Sequence, residues 1–273
     1  MSLVGKIKHI CLQAFVSIIP KSSYQNVINY LLQKCTWYVN PKEWMLMDYS
    51  KHSIYVHNGV RQRYASKEPD TVEWLETYLK PDQILFDIGA NIGGHSLIAA
   101  KFHQSKVRVY AFEPSYDNFY HLASNIIKNN CQDVIFPMNV PLSSESGINV
   151  FNYRSFKPGG SGHALGKPQT TRGEEFDAVF KQYLISCTID QLVYEWKLPF
   201  PNHIKMDVDG MEFEIIKGAQ KTLADDRLRS VLIEFSDLNP NLNEMLNIVQ
   251  SKGLKFISKT TIDKNVFNFL FSR

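Results

Sequence analysis

Asp87, Glu113, Asp207 and Asp209 are the side chains whose spacing from glycines and apolar runs invites a chemical reading. Asp87 stands two residues ahead of Gly89 in Phe86-Asp87-Ile88-Gly89-Ala90-Asn91-Ile92-Gly93-Gly94-His95, which follows a strand-like run and opens a helix-like one. Glycines at 89 and 93 permit a sharp turn and a close approach of ligand to backbone, where a Cβ would collide. Glu113 closes the next strand-like run, about 20 residues past the turn, where an acid accepts hydrogen bonds from ribose hydroxyls. Asp207 and Asp209 end a later run, and ligands of open α/β sheets lie beyond the carboxyl ends of strands. Either acid is a candidate to take a proton from a hydroxyl. Together they could instead hold a divalent cation such as magnesium that lowers the hydroxyl's pKa. The competing reading makes them a helix cap that complements the dipole.

The ligand of the turn follows from charge. A pyrophosphate favours a helix N-terminus free of acids, and its fingerprint is Gly-x-Gly-x-x-Gly. Here the turn is Gly-Ala-Asn-Ile-Gly with Asp87 just ahead of it, which would repel phosphate and suit the ammonium and sulfonium of S-adenosylmethionine. Methyl transfer to a hydroxyl needs alignment, exclusion of water and a base within reach. His163, in the glycine-rich stretch Lys157-Pro158-Gly159-Gly160-Ser161-Gly162-His163, is a further candidate base, carried on a lid. Glu234 ends a strand-like run and could face the acceptor. Glu212 fits the first turn of a helix, Lys205 a pairing with a nearby acid, and His95 and His203 local polar contacts. No histidine and carboxylate spacing marks a preformed metal site, so metal dependence stays open.

These residues need a scaffold of alternating strands and helices. Strand-like runs occur at 84–87, 107–112, 134–138, 203–207, 231–235, 255–258 and 266–270, with helix-like stretches at 93–103, 116–129, 188–195, 211–224 and 241–251. That alternation predicts a mainly parallel sheet covered on both faces. Ahead of it, apolar periodicity at 72, 75 and 79 predicts a helix that Asp70 could cap. Residues 1–67 read as an extension: amphipathic helices over Ile10–Leu32, then short aromatic and β-branched runs at 37–39, 44–47 and 53–56 closed by the turn-like His57-Asn58-Gly59. Residues 68–273 read as one domain whose rhythm breaks at about 147–187, as an insertion serving as a lid or substrate loop does.

Composition narrows the class. With 44% hydrophobic and 21% charged residues, the chain is neither disordered nor fibrous. A net charge of +3 without a run of like charge gives no footprint for nucleic acid. The four cysteines, Cys11, Cys35, Cys131 and Cys187, have neither a Cys-x-x-Cys pair nor zinc spacing, which suits reduced thiols in the cytoplasm. The apolar stretch 10–20 is interrupted and too short for a membrane helix, leaving a peripheral membrane contact open.

At these motifs the chain resembles the class I methyltransferases, and within them the FkbM family. The cues are Asp87-Ile88-Gly89-Ala90-Asn91-Ile92-Gly93, Phe112-Glu113-Pro114, Ile204-Lys205-Met206-Asp207-Val208-Asp209-Gly210-Met211-Glu212 and Ile216-Lys217-Gly218-Ala219, with Glu68-Pro69 as a lead-in. The resemblance implies a Rossmann-like, seven-stranded sheet with a reversed final hairpin. It also implies methyl transfer mostly to oxygen, on sugar, glycan or natural-product acceptors. By position it places Asp87, Gly89 and Asn91 at the methionine end of S-adenosylmethionine, Glu113 at the ribose and Asn139 with Val140 at the adenine; Gly93 and Ser115 complete the cofactor set. The family usually shows Asp-Val-Glu-Gly where this chain has Asp207-Val208-Asp209-Gly210, which shortens the side chain at 209 by a methylene. Two other classes remain open on the residues alone: a methyltransferase-fold module that binds without catalysis, and a nicotinamide-dependent oxidoreductase. The acceptor and the oligomeric state leave no motif.

Overall fold

The computed structural model describes residues 44–57, 61–170 and 174–273. Their elements, in chain order, begin with β1 (Trp44–Leu46), β2 (Tyr55–His57), α1 (Tyr64–Lys67), α2 (Pro69–Thr77), β3 (Ile84–Ile88), α3 (Gly94–Phe102), β4 (Arg108–Phe112), α4 (Tyr116–Lys128) and β5 (Ile135–Met138). There follow β6 (Gly147–Tyr153), β7 (Ala164–Leu165), β8 (Phe180–Ser186), a single π-helical turn (Gln191–Glu195), β9 (His203–Met206), α5 (Glu212–Lys217), α6 (Gln220–Ala224), β10 (Ser230–Ser236), α7 (Leu242–Ser251), β11 (Lys255–Asp263) and β12 (Val266–Ser272).

Seven strands form one sheet in the order β11-β12-β10-β9-β3-β4-β5, and the apolar runs at its centre, β10, β9, β3 and β4, are buried on both faces. Its members pair in parallel from β10 through β5, while β12 runs antiparallel to both β10 and β11. This is the Rossmann-like α/β sheet with the reversed final hairpin. Alternate residues of one strand supply opposite faces. Leu85 joins Val109, Ile135 and the inner faces of α2, α3 and α4, whereas Phe86 and Ile88 join Phe112, Ile204 and residues of α5 and α7. Each such side chain contributes roughly 1.5–3 kcal/mol on burial, so the strand ends that carry the acids rest on a rigid base.

Met47, Tyr49, Ile54, Val56 and Tyr64 belong to the first of these clusters, so the described part of the expected extension shares the core of the residues that follow. The backbone of β2 is held by side chains: Asn129 Oδ1 accepts from the Tyr55 amide at 2.9 Å and Asn125 Oδ1 from the His57 amide at 2.7 Å. The expected helices over Ile10–Leu32, the runs at 37–39, the turn residues Asn58 and Gly59, Cys11, Cys35 and the open membrane contact all lie outside the described residues. Among those described, no helix is long and apolar enough to cross a membrane.

Local packing changes four expectations. The helix expected at 188–195 is only the π-helical turn. The helix expected at 211–224 is two, because a Cβ at Gly218 would stand 2.2 Å from the Ser143 carbonyl oxygen and the chain turns where it meets that backbone. The insertion at 147–187 is built on a three-stranded antiparallel sheet, β7-β6-β8, which carries the glycine-rich loop. Asp70 also does not cap α2. Pro69 takes the first helical position, and Asp70 accepts instead from Asn268 Nδ2 at 2.9 Å.

Candidate functional site

The turn after β3 is stitched to the neighbouring strand, with the amides of Gly89 and Ala90 both donating to the Phe112 carbonyl at 3.0 Å. Gly89 adopts φ 81°, and a Cβ there would lie 1.7 Å from the Asp207 carbonyl oxygen, so the turn rests directly on the end of β9. Gly93, with φ 87°, starts α3, and its open side is filled by Leu122. Glycine here serves the packing of protein on protein as well as any ligand.

Glu113 is clamped in place. Its two carboxylate oxygens accept from the Asn91 amide at 2.8 Å and the Ser115 amide at 2.9 Å. Burial nevertheless pushes its pKa up to about 7 against those bonds. Asp87 is buried beneath the turn, where Oδ2 accepts from the Ser96 hydroxyl at 2.6 Å and Oδ1 lies 3.6 Å from Lys205 Nζ without a hydrogen bond of its own. Lys205 continues to Asp207 at 3.3 Å. Burial acts to lower the Lys205 pKa, but Asp207, Asp87, Glu68 and Glu234 together raise it, so it remains an ammonium.

Between the turn and the insertion lies a cavity of about 130 Å³. Gly89, Asn91 and Glu113 form one wall, and Gly160, Ser161 and His163 the opposite one. Asp207, Asp209 and Glu234 close the end toward β9 and β10, with Arg61 and Lys67 beside them. A smaller apolar cavity of about 40 Å³ adjoins it through Gly89 and Pro114 and is walled by Val140, Leu142, Leu165 and Met211.

The facing loop is held by polar contacts. The Gly160 carbonyl accepts from the side-chain amides of Asn91 and Asn118, each at 2.9 Å, and Asn118 Oδ1 accepts from the Gly159 amide at 2.9 Å. Arg61 Nε donates to the Gly159 carbonyl at 2.8 Å, and Asp209 Oδ2 accepts from the Gly162 amide at 2.6 Å. His163 packs on the rings of Phe151 and Tyr153, and its Nδ1 accepts from the Arg154 amide. Burial, aided by Arg61, lowers its pKa to about 4 and keeps it neutral.

The expected residues therefore separate into two groups. Gly89, Asn91, Glu113, Asp207, Asp209, His163 and Glu234 reach the larger cavity, and Val140 the smaller. Asp87, Gly93, Ser115 and Asn139 do not line either one. Asp87 faces Ser96 and Lys205, Ser115 offers its amide to Glu113, and Asn139 Nδ2 donates to the carbonyls of Glu113 and Pro114. Asp209 has φ 58°, and its short side chain spans to the loop rather than standing free. Glu212 is turned inward: its Oε1 accepts from the Val208 and Gly210 amides at 3.2 and 3.1 Å, and burial raises its pKa to about 7. His203 lies at the other end of β9 between Ser230 and Gln83. His95 packs against Tyr64, and burial lowers its pKa to about 3.

Glu68, Asp207 and Glu234 bring carboxylate oxygens within 4.8 Å of one another, the one such group of His, Cys, Asp and Glu among the described residues. Burial, with Asp207 and Glu68, raises the Glu234 pKa well above the carboxylate range, which makes it a hydrogen-bond donor near neutral pH. Arg61, Asn118 and Phe151 were not expected from sequence. For Asn118 a signal existed: it is a polar residue in the buried set Asn118, His121, Leu122, Asn125 and Ile126 of α4, where a helix otherwise buries apolar groups. Arg61 and Phe151 have no spacing that marks them.

The donor set fits an adenosyl sulfonium ligand. A clamped carboxylate suits a diol, an apolar slot suits a flat base, and the acids at the ends of β9 and β10 suit positive charge but would repel a pyrophosphate.

The model of the methyltransferase FkbM domain family matches residues 87–256 of the chain. A hexuronic acid methyltransferase, AglP, of Haloferax volcanii is 31% identical over 156 residues, which make up 57% of this chain and 58% of AglP, so the match leaves over a third of that relative uncovered. A 31-O-demethyl-FK506 methyltransferase, FkbM, of Streptomyces tacrolimicus is 24% identical over 202 residues, 66% of this chain and 76% of that protein. Among solved structures, a precorrin-6y C5,15-methyltransferase from Geobacter metallireducens GS-15 aligns with a TM-score of 0.47 at 13% identity, over 85% of this chain and 99% of the other.

Proposed function

The chain belongs to the FkbM methyltransferase domain family, and from that premise we propose that it transfers a methyl group from S-adenosylmethionine to a hydroxyl of a sugar, glycan or natural-product acceptor. The observation that carries the reading is one cavity lined by the Gly89 turn with its clamped Glu113, by Asp207 beside that turn, and by the glycine-rich loop opposite. S-adenosylmethionine, when bound, supplies a methyl on a positively charged sulfur that a hydroxyl can displace in line. Glu113 holds a diol through the lone pairs that its two amide bonds leave free. Pro114 and Val140 flank the apolar slot for the base. Asp207, paired with Lys205 at 3.3 Å, orients the acceptor hydroxyl and takes its proton. Asp209 holds the glycine-rich loop down and so excludes water. Neutral His163 orders the loop side of the cavity.

In this reading residues 68–273 form the transferase domain, and Arg61 and Lys67 with the insertion at 147–187 shape the acceptor side. The acceptor is a small molecule or glycan rather than nucleic acid, consistent with a net charge of +3 spread along the chain. The cytoplasm is the proposed setting, on the scattered cysteines. Glu68, Asp207 and Glu234 are the residues that would hold a magnesium ion.

Thermal shifts with S-adenosylmethionine, S-adenosylhomocysteine and NAD test the cofactor. The adenosyl ligands should stabilise the fold and NAD should not. A shift with NAD alone would sink the proposal. Transfer of labelled methyl to hexuronic acids, neutral hexoses and hydroxylated macrolides, with and without magnesium, then reads the acceptor class.

A further inference from the structure

The cavity is predominantly acidic where it closes against β9 and β10, so a ligand that enters with a negative group needs a cation not already matched. Lys205 is held between Asp87 at 3.6 Å and Asp207 at 3.3 Å. Lys67 pairs with Glu68 at 3.2 Å. Arg61 differs from both. It lines the cavity and spends only Nε, on the Gly159 carbonyl, and among the described residues its two terminal guanidinium nitrogens have neither a hydrogen bond nor an ion pair. Burial works against its charge, and Tyr64, Asp207, Asp209 and Glu68 act to keep it. Anchoring through Nε fixes the plane of the group and leaves the two-pronged edge that matches a carboxylate.

We propose that Arg61 is the carboxylate-recognition residue of this cavity, pairing through its guanidinium edge with the carboxylate of a zwitterionic ligand: the amino-acid end of S-adenosylmethionine. The inference rests on the proposed cofactor and adds a residue that lies ahead of the segment matched by the family model, which begins at residue 87. Charge complementarity favours this source. The acids around Arg61 attract a ligand with ammonium and sulfonium charges, and Arg61 then meets the one group on it that those acids repel. A carboxylate on the acceptor, as in a uronic acid, has the same chemistry and is the alternative source. Because Arg61 also holds Gly159, it ties carboxylate recognition to the position of the loop.

Calorimetric titration of the full chain with S-adenosylhomocysteine and with 5′-methylthioadenosine, which lacks the amino acid, separates these roles. Arg61→Ala should weaken S-adenosylhomocysteine by about 10- to 100-fold while leaving methylthioadenosine nearly unchanged, and Arg61→Lys should recover part of the loss. Equal weakening of both ligands would reduce Arg61 to a loop anchor and overturn the inference, as would no change in either ligand or in any acceptor's KM. If S-adenosylhomocysteine binding is unchanged but KM rises for a hexuronic acid and not for the matching neutral hexose, Arg61 still recognises a carboxylate, and its assignment to the cofactor is overturned. A wild-type chain that binds neither adenosyl ligand would instead overturn the proposed function itself. Melting curves of each variant establish that it is folded.

Discussion

The two walls of the cavity are built by different forces. On the turn side, Gly89 presses against the Asp207 carbonyl and Gly93 against Leu122, in backbone conformations of positive φ, above strands buried on both faces. On the loop side, residues 157–163 rest on a small sheet and are held by side chain to backbone hydrogen bonds with Asn91 of the turn and with Asn118, Arg61 and Asp209 around it. The first wall is fixed by sterics, so it can be altered only at the expense of the fold. The second is fixed by a few bonds worth roughly 1–3 kcal/mol each net, so a single side-chain substitution loosens it at modest cost to the fold. A rigid half that sets where a cofactor lies, facing a releasable half that seals it, is the arrangement that transfer without hydrolysis requires.

That contrast predicts a descending series of effects. Gly89→Ala should be the most severe, because a Cβ 1.7 Å from a backbone oxygen and a φ of 81° both demand that β9 move. A loss of about 3 kcal/mol or more in urea unfolding is expected, and a variant of wild-type stability would show that the turn wall is as adaptable as the loop. Asp207→Asn stands on the rigid side but faces the cavity, so the contrast requires it to cost rate and not fold. The turnover number should fall about 10²- to 10⁴-fold with cofactor affinity nearly unchanged, and an active variant would remove Asp207 as the base. Asn118→Ala removes bonds to both Gly159 and Gly160. It should weaken S-adenosylhomocysteine about tenfold with a far smaller loss of melting temperature than Gly89→Ala, and equal losses in the two variants would erase the distinction between the walls.

The smallest effect concerns pH. Glu212 has its pKa raised from 4.5 to about 7 by burial, under the bend that positions Asp209. A raised carboxyl contributes stability that is fully present below its unfolded pKa and is lost as pH rises through the folded value. Wild-type unfolding free energy, read from urea titrations, should therefore fall relative to Glu212→Gln from about pH 5 to about pH 8, by on the order of 1–3 kcal/mol at most. A difference that does not vary with pH would mean that Glu212 is ionised in the fold throughout.

Much of the rigid wall was legible beforehand. Glycine spacing, an acid after the next strand and apolar runs of strand length located the turn, Glu113 and all seven strands of the main sheet, because short-range sterics and burial periodicity are written locally. The loop wall was legible only as a break in rhythm with a cluster of glycines. Its supporting strands escaped because β6 and β8 place Ile148, Tyr183 and Ile185 toward solvent, which blurs the alternation of apolar and polar residues. Asn118 could have been suspected as a polar residue on a buried helical face. Asp87 stands where its position before the turn points to a ligand, and its contacts with Ser96 and Lys205 are partners that no spacing reveals.

The sequence by itself determined the α/β order, the turn that can accept a cofactor and the acids at the strand ends, since each depends on neighbours a few residues away. Only the tertiary structure decided which acids face the cavity and which are tied up beneath it. It alone brought Arg61, Asn118 and the 157–163 loop onto one site, and it alone made Asp209 a fastener beside Asp207. Those outcomes depend on contacts between residues tens of positions apart, such as the 98 positions that separate Arg61 from Gly159. Their formation is settled by the free energy of the whole packed chain and by no local preference.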